Sequence, residues 1–345
     1  MPTHKRVAKL PFELRCKLNL TLGCVKNYLR YFTDFFTNRH FWAAPAAIPP
    51  RSRPISQYPH AGSLDLMPLD WPGREHSRLV ACDGLTWHVQ QSGAGPTLLL
   101  LHGTGGSTHS WRDCIPALET TYTVVAIDLP GHGFTDIPTN FARRQDVHAL
   151  TGMARAVGRL LHQLDVAPSV VAGHSAGVPL AMQLALDGAI APTRIVGFNP
   201  ALVPPPEIYS LLIAPLLGTI VERDIVAEGG AWLAGATKIV GAMLATSGTP
   251  LRDRQLEAYR WLCTRPAHVH AALTMMSRWD LPRLLRDALT LQVPLRVVAG
   301  RRDRWVPSAA LKRVVDRMPN AEWVEVEAGH LIPDECPEIV VREVQ

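Results

Sequence analysis

A serine set between two glycines, Gly173-His174-Ser175-Ala176-Gly177, is the first group in this chain equipped for chemistry. The strand-like run Val170-Val171-Ala172 precedes it, and an apolar stretch with helical spacing, Val178 to Leu186, follows. A sharp strand-to-helix turn of this kind presents a serine hydroxyl on strained backbone, and small flanking residues relieve the crowding. The helix behind it aims its positive end at the same place. A serine hydroxyl is a weak nucleophile near neutral pH, so it needs a base, and the base needs a carboxylate to orient it. Of the fourteen histidines, His330, in Glu327-Ala328-Gly329-His330, directly follows the last strand-like run. Asp303, in Gly300-Arg301-Arg302-Asp303-Arg304-Trp305, directly follows the one before. Ser175, His330 and Asp303 are therefore the predicted catalytic set. A fourth element, His102-Gly103-Thr104-Gly105-Gly106, closes an earlier strand-like run. The main-chain N–H of Thr104, paired with that of Ala176, is the predicted oxyanion hole.

Other readings of these residues fall away or remain as expectations. The glycine-rich loop at 103–106 matches neither a phosphate-binding G-x-x-x-x-G-K-[ST] nor a dinucleotide-binding G-x-G-x-x-G, so no nucleotide cofactor is predicted. His102 is read as a brace for its loop and, failing that, as a substrate contact. Asp128-Leu129-Pro130-Gly131-His132-Gly133 reads as a structural turn. His268 and His270, two apart on a helix, point to different faces and make no metal site, and no metal is predicted. Trp232, Trp261, Met275 and Trp279, with Met243 and Met276, offer apolar surface for a large flat ligand or for ordinary packing.

These groups require a scaffold that brings distant loops to one edge. Short apolar runs occur at 79–82, 85–89, 97–101, 123–127, 169–172, 194–198, 295–299 and 322–326. Several are continuous, such as Leu98-Leu99-Leu100-Leu101, as strands buried on both faces must be. Helical spacing separates them; Val147, Leu150, Ala154, Val157, Leu161 and Leu164 would line one buried face of a single helix. The expectation is an eight-stranded, mostly parallel α/β sheet with helices on both faces. Residues 200–290 lack a strand-like run and read as a helical cap inserted into a core of 67–199 and 291–345, above the edge where such sheets bind ligands.

Composition closes off other classes. The 345 residues are 47% hydrophobic and 19% charged, enough for a sizeable core. The net charge of +5 is lopsided: residues 1–66 hold ten Lys/Arg against three acids, and the remainder 25 against 27. The main body is thus no nucleic-acid platform. Six scattered cysteines without C-x-x-C spacing fit reduced thiols in a cytosolic protein. The most apolar candidate for a span, Leu211 to Val221, is broken by Pro215, Gly218 and Thr219. Residues 1–66 have three readings: a membrane-surface anchor, a processed segment, or sequence upstream of a true start at Met67. The change in composition near Met67 favours the last.

With these motifs in view, residues 70–345 resemble the α/β-hydrolase superfamily, whose chain order of serine, acid and histidine they share. More narrowly they resemble the magnesium-chelatase accessory proteins of bacteriochlorophyll synthesis. The strings that carry this are Asp70-Trp71-Pro72, Trp87-His88-Val89-Gln90-Gln91, Leu98 through Gly105 to Ser110-Trp111-Arg112, Asp128 to Thr135, and Gly173 to Gly177. The resemblance implies a role beside Mg²⁺ insertion into protoporphyrin IX, with magnesium-chelatase subunits as partners and at most peripheral contact with the photosynthetic membrane. Three functions are compatible with it: serine-hydrolase chemistry in that pathway, a carboxylesterase acting on an unrelated apolar ester, or a porphyrin-binding module that does no catalysis.

Overall fold

The computed structural model describes residues 64–203 and 224–345. Eight strands form one sheet: β1 (Ser77–Cys82), β2 (Leu85–Ser92), β3 (Thr97–Leu101), β4 (Thr123–Ile127), β5 (Val170–His174), β6 (Arg194–Phe198), β7 (Leu295–Gly300) and β8 (Ala321–Val326). Their order is β1-β2-β4-β3-β5-β6-β7-β8. β1 pairs antiparallel with β2 and β2 with β4; every later pairing is parallel. All eight apolar runs therefore became strands, displaced by no more than a few residues at their ends.

Among the described residues the helices of seven residues or more are α1 (Phe141–His148), α2 (Leu150–Gln163), α3 (Gly177–Leu186), α4 (Asp224–Ala236), α5 (Ile239–Ala245), α6 (Asp253–Cys263), α7 (Pro266–Arg278), α8 (Leu281–Asp287), α9 (Ser308–Val315) and α10 (Pro337–Val344). The two-sided burial of β3 explains its unbroken leucines. Leu99 and Leu101 face a core shared with α2, α3 and α9, while Leu98 and Leu100 face Trp111, Phe198 and Val340 of α10. Each fully buried leucine contributes roughly 1.5–3 kcal/mol.

One helix departs from its periodicity. The apolar stripe from Val147 to Leu164 is cut at Ala149, which is extended with ψ of 146°, so α1 and α2 are separate. Gly152 allows this kink: a Cβ there would stand 1.9 Å from the Asp146 carbonyl oxygen. The stripe still buries Val147, Leu150, Ala154, Val157 and Leu161, but Leu164 is only half-buried.

Helices α4 to α8 occupy the chain between β6 and β7, and this insertion reaches the carboxyl edge of the sheet, where the site described below is built. Among the described residues no helix is long and apolar enough to cross a membrane, and the four cysteines Cys82, Cys114, Cys263 and Cys336 are free thiols. The amino-terminal extension lies outside the described residues except for its last turn. There Leu64 packs on the cluster of Met67, Trp71, Phe134 and Leu262, and Met67 itself is buried. The apolar run 211–221 also lies outside the described residues.

Candidate active site

Ser175 stands between β5 and α3 in the left-handed region, with φ of +50°, a conformation that strains a side-chain-bearing residue. Its surroundings hold it there. The Ser175 N–H donates to the Phe198 oxygen at 2.9 Å, and its carbonyl accepts from Val178 and Ala201 at 3.2 and 3.1 Å. The flanking glycines answer a close approach of backbones. A Cβ on Gly177 would stand 2.1 Å from the Leu101 oxygen, and one on Gly173 would stand 2.8 Å from the Gly177 carbonyl carbon.

The structure brings the other two predicted residues to this serine. His330 Nε2 lies 3.1 Å from Ser175 Oγ, and His330 Nδ1 lies 2.7 Å from Asp303 Oδ2. The second oxygen of Asp303 accepts the N–H groups of Trp305 and Val306, both at 2.8 Å. These two donors fix the carboxylate plane, so one oxygen is left for the histidine. Asp303 and His330 are 6% and 3% exposed, which keeps water from competing for their contact.

The predicted oxyanion loop is a tight turn. Gly106 N–H donates to the Gly103 oxygen at 3.0 Å, and Gly105 at the third position takes φ of +71°, as a type II turn demands. The turn is held from the insertion by His268 of α7. Its Nε2 donates to the Gly105 oxygen at 3.1 Å, and its Nδ1 accepts from Gly133 at 3.2 Å. Burial lowers His268 to about 3, so it is neutral and keeps one donor and one acceptor. Met275 of the same helix places its sulfur 3.9 Å from Thr104 Oγ1.

His102 is a brace and not a ligand contact. It is fully buried; Nδ1 donates to the Gly103 oxygen at 2.8 Å and Nε2 accepts from Leu129 at 3.0 Å. Both ring nitrogens are spent on backbone. The turn at 128–133 is structural as well. Asp128 is buried, accepting from Thr108 and Phe134 and pairing with His88 Nδ1 at 2.7 Å.

Several positioning residues were given no role from the sequence. His174 Nε2 donates to the His330 carbonyl at 2.9 Å, and Asn199 Nδ2 donates to the Gly329 and His330 carbonyls at 2.8 and 2.9 Å. Asn199 also accepts from Gly300, the last residue of β7, at 2.7 Å. Below the base loop, Arg112 donates to Asp334 at 2.5 Å, and Tyr259 of α6 donates to the same carboxylate at 2.8 Å. The indole of Trp305, 40% exposed, lies with its centroid 5.0 Å from that of His330. Its adjacency to Asp303 in sequence was the only available signal.

The apolar residues of the insertion do not share one surface; of the two readings the sequence allowed, ordinary packing describes Trp261 and Trp279. Trp261 packs between Trp71 and Phe134, at 5.3 Å from each, under the Arg265 guanidinium. Trp279 donates its indole N–H to the His148 oxygen and packs on the main core. Trp232 is half-buried on α4. Met243 and Met276 are 49% and 63% exposed. Of these six residues, Met275 lies against Thr104. A concavity of about 540 Å³ opens at the opposite edge, beside Arg194, Leu295 and Ala321, which begin β6, β7 and β8. A smaller one of about 290 Å³, lined by Gly248, Arg301, Arg302 and Arg304, adjoins Asp303.

The sequence pattern described as Alpha/beta hydrolase family matches residues 98–343. The chain belongs to that family. Within it, this α/β hydrolase is 33% identical over 277 residues to the "Magnesium-chelatase 30 kDa subunit" of Rhodobacter capsulatus, covering 77% of this chain and 92% of that one. It is 28% identical to the "Pimeloyl-[acyl-carrier protein] methyl ester esterase" of Aeromonas hydrophila, covering 71% and 92%. Among solved structures, an alpha/beta hydrolase fold protein from Burkholderia ambifaria superposes with a TM-score of 0.61 at 26% identity, covering 78% of this chain and 99% of that one.

Proposed function

We propose that this α/β hydrolase assists magnesium insertion into protoporphyrin IX, working beside magnesium-chelatase subunits, and that it does so with serine-hydrolase chemistry. The pathway reading rests on the similarity to the 30 kDa chelatase subunit. The chemical reading rests on one observation: Ser175, His330 and Asp303 stand within hydrogen-bonding distance in series.

In this reading Ser175 Oγ attacks an ester carbonyl as its proton passes to His330 Nε2. Asp303 Oδ2 accepts the Nδ1–H and stabilises the imidazolium. The N–H groups of Thr104 and Ala176 receive the oxyanion. Collapse of the tetrahedral intermediate expels the alcohol, which takes the proton from His330. Water, deprotonated by the same nitrogen, then frees the acid and restores Ser175. Met275, beside Thr104, and Trp305, beside His330, are the apolar surfaces a substrate would meet at the two sides of the serine.

A fluorophosphonate probe tests the chemistry: it labels Ser175 in the wild-type protein and not in Ser175→Ala. A folded wild-type protein that resists labelling leaves the non-catalytic porphyrin-binding role, which the same chelatase similarity supports. Rescue of pigment synthesis in a deletion strain tests the pathway. Rescue by wild type and failure of Ser175→Ala would join the two readings; rescue by both would separate them.

A further inference from the structure

The loop that carries His330 is satisfied from two sides. Its carbonyls, at Gly329 and His330, end on His174 and Asn199 of the core. The N–H groups of His330 and Leu331 end on the insertion, while that of Gly329 donates to Glu335 at 2.8 Å. His330 N–H donates to the Ser247 oxygen at 3.1 Å, and Leu331 N–H donates to Thr249 Oγ1 at 2.9 Å. The acid loop does the same. Arg304 N–H reaches the Ser247 oxygen at 3.5 Å, the Arg302 guanidinium donates to the Gly248 oxygen at 3.3 Å, and the Trp305 indole donates to Thr246 Oγ1 at 2.9 Å.

Four consecutive residues between α5 and α6, Thr246-Ser247-Gly248-Thr249, thus accept donors from both catalytic loops. The backbones meet without space for a side chain: a Cβ on Gly248 would stand 2.1 Å from the Arg302 oxygen, and one on Gly329 would stand 2.4 Å from the Gly248 carbonyl carbon. Thr249 is 5% exposed and Leu331 is 4% exposed, so water is no ready substitute for a lost acceptor, and a buried N–H without one is costly.

We propose that Thr249 is a positioning residue for His330, and that the 246–249 turn couples the placement of the helical insertion to the acid–base pair. An insertion displaced by a ligand or partner would withdraw the acceptors of His330 and Leu331 together. A shift of about 1 Å at a reacting group costs on the order of a hundredfold in rate, so the coupling makes the insertion a control element of the same site. The inference rests on the serine-hydrolase reading above.

Thr249→Val removes the acceptor at nearly constant volume, and Thr249→Ser restores it. With a fluorophosphonate probe, Val should lower the maximal labelling rate about tenfold while leaving the probe's reversible affinity within about twofold. Ser should retain the rate to within about threefold. Val at the wild-type rate, or Ser as slow as Val, overturns the proposal. If Thr249→Val does not fold, Thr246→Val at an exposed position decides: the labelling rate should fall, and an unchanged rate overturns the coupling. A folded wild type that is not labelled at all defeats the serine-hydrolase reading instead. The low-field proton resonance between His330 and Asp303 then serves as readout. Its loss in Thr249→Val with retention in Thr249→Ser supports the positioning role, and its persistence in both overturns it.

Discussion

The imidazole of His174 donates to the main-chain oxygen of His330 across 2.9 Å, so the residue before Ser175 holds the loop that carries His330. The two rings are 5.1 Å apart. Burial, and then the nearby His330, lower His174 to about 3. It is therefore a neutral donor and not a second base. The variant His174→Phe keeps the ring volume and removes the donor. We expect a loss of about tenfold in the labelling rate of Ser175, the size of one buried hydrogen bond. Asn199→Ala should cost more, since Asn199 serves Gly329, His330 and Gly300 at once. Equal rates for all three proteins would show that the base loop holds its place without these side chains.

The buried histidines predict acid sensitivity. Burial lowers His148 to about 4 and His174, His268 and His270 to about 3, from an ordinary 6.5. Below that ordinary value the unfolded chain takes up protons that the folded protein refuses. Stability therefore falls as pH drops from about 6.5 toward 4, by up to about 1.4 kcal/mol per pH unit for each histidine. Asp128 adds to the loss only at lower pH. Burial raises its carboxyl, but the interactions with His88, His102 and the Phe134 N–H together outweigh this and hold it at about 2. Thermal melts should show a Tm that is nearly level above about pH 7 and declines steeply below about pH 6. A level Tm down to about pH 4.5 would contradict the neutral state of these rings.

His268 supports the 103–106 turn from outside the sheet, and if the Thr104 N–H there receives the oxyanion, as proposed, its loss should affect turnover and not binding. Its two contacts need a donor and an acceptor on one side chain, which glutamine also offers. His268→Leu should lower kcat for an ester substrate by about ten- to a hundredfold with a small change in KM, as the loss of a transition-state contact does. His268→Gln should recover part of that loss. If Leu and Gln variants behave alike, the turn does not depend on the hydrogen bonds.

Legibility followed the range of the contacts. The strands were readable because burial on both faces leaves continuous apolar runs, as in Leu98–Leu101. The serine turn was readable because its whole pattern, a strand-like run, a serine between two glycines and a helical run, is contiguous in sequence, although the contact that forces Gly177, at Leu101, is distant. His330 and Asp303 were readable from their places after β8 and β7. The break at Ala149 was not, since Ala149 is itself a good helix former and the cause lies in how α2 meets Asp146. The supports at Asn199, Thr249 and His268 were also hidden. Each acts on a loop roughly 80 to 160 residues distant in sequence, through a single polar group that no local pattern marks. Trp261 was open to two readings: an aromatic in an insertion reads the same whether it faces a ligand or packs, as Trp261 does, on Trp71 and Phe134.

That last distinction yields a ligand prediction. If protoporphyrin IX or its magnesium form binds at the carboxyl edge, the indole able to report it is Trp305, which is 40% exposed and lies beside the His330 ring. Trp261 is enclosed by Trp71, Phe134 and Arg265, and Trp279 is tied to the His148 oxygen. Burial of one face of so large a ring contributes several kcal/mol at about 25 cal/mol per Å², offset in part by the cost of association. A dissociation constant on the order of micromolar follows. Titration should therefore quench tryptophan fluorescence saturably, and Trp305→Phe should remove most of that quench. Trp261→Ala should instead lower Tm, because it opens a cavity among packed rings at a cost of about 3–5 kcal/mol, while leaving the affinity near that of the wild type. Undiminished quenching in Trp305→Phe, or loss of binding in a folded Trp261→Ala protein, would place the porphyrin away from the catalytic edge.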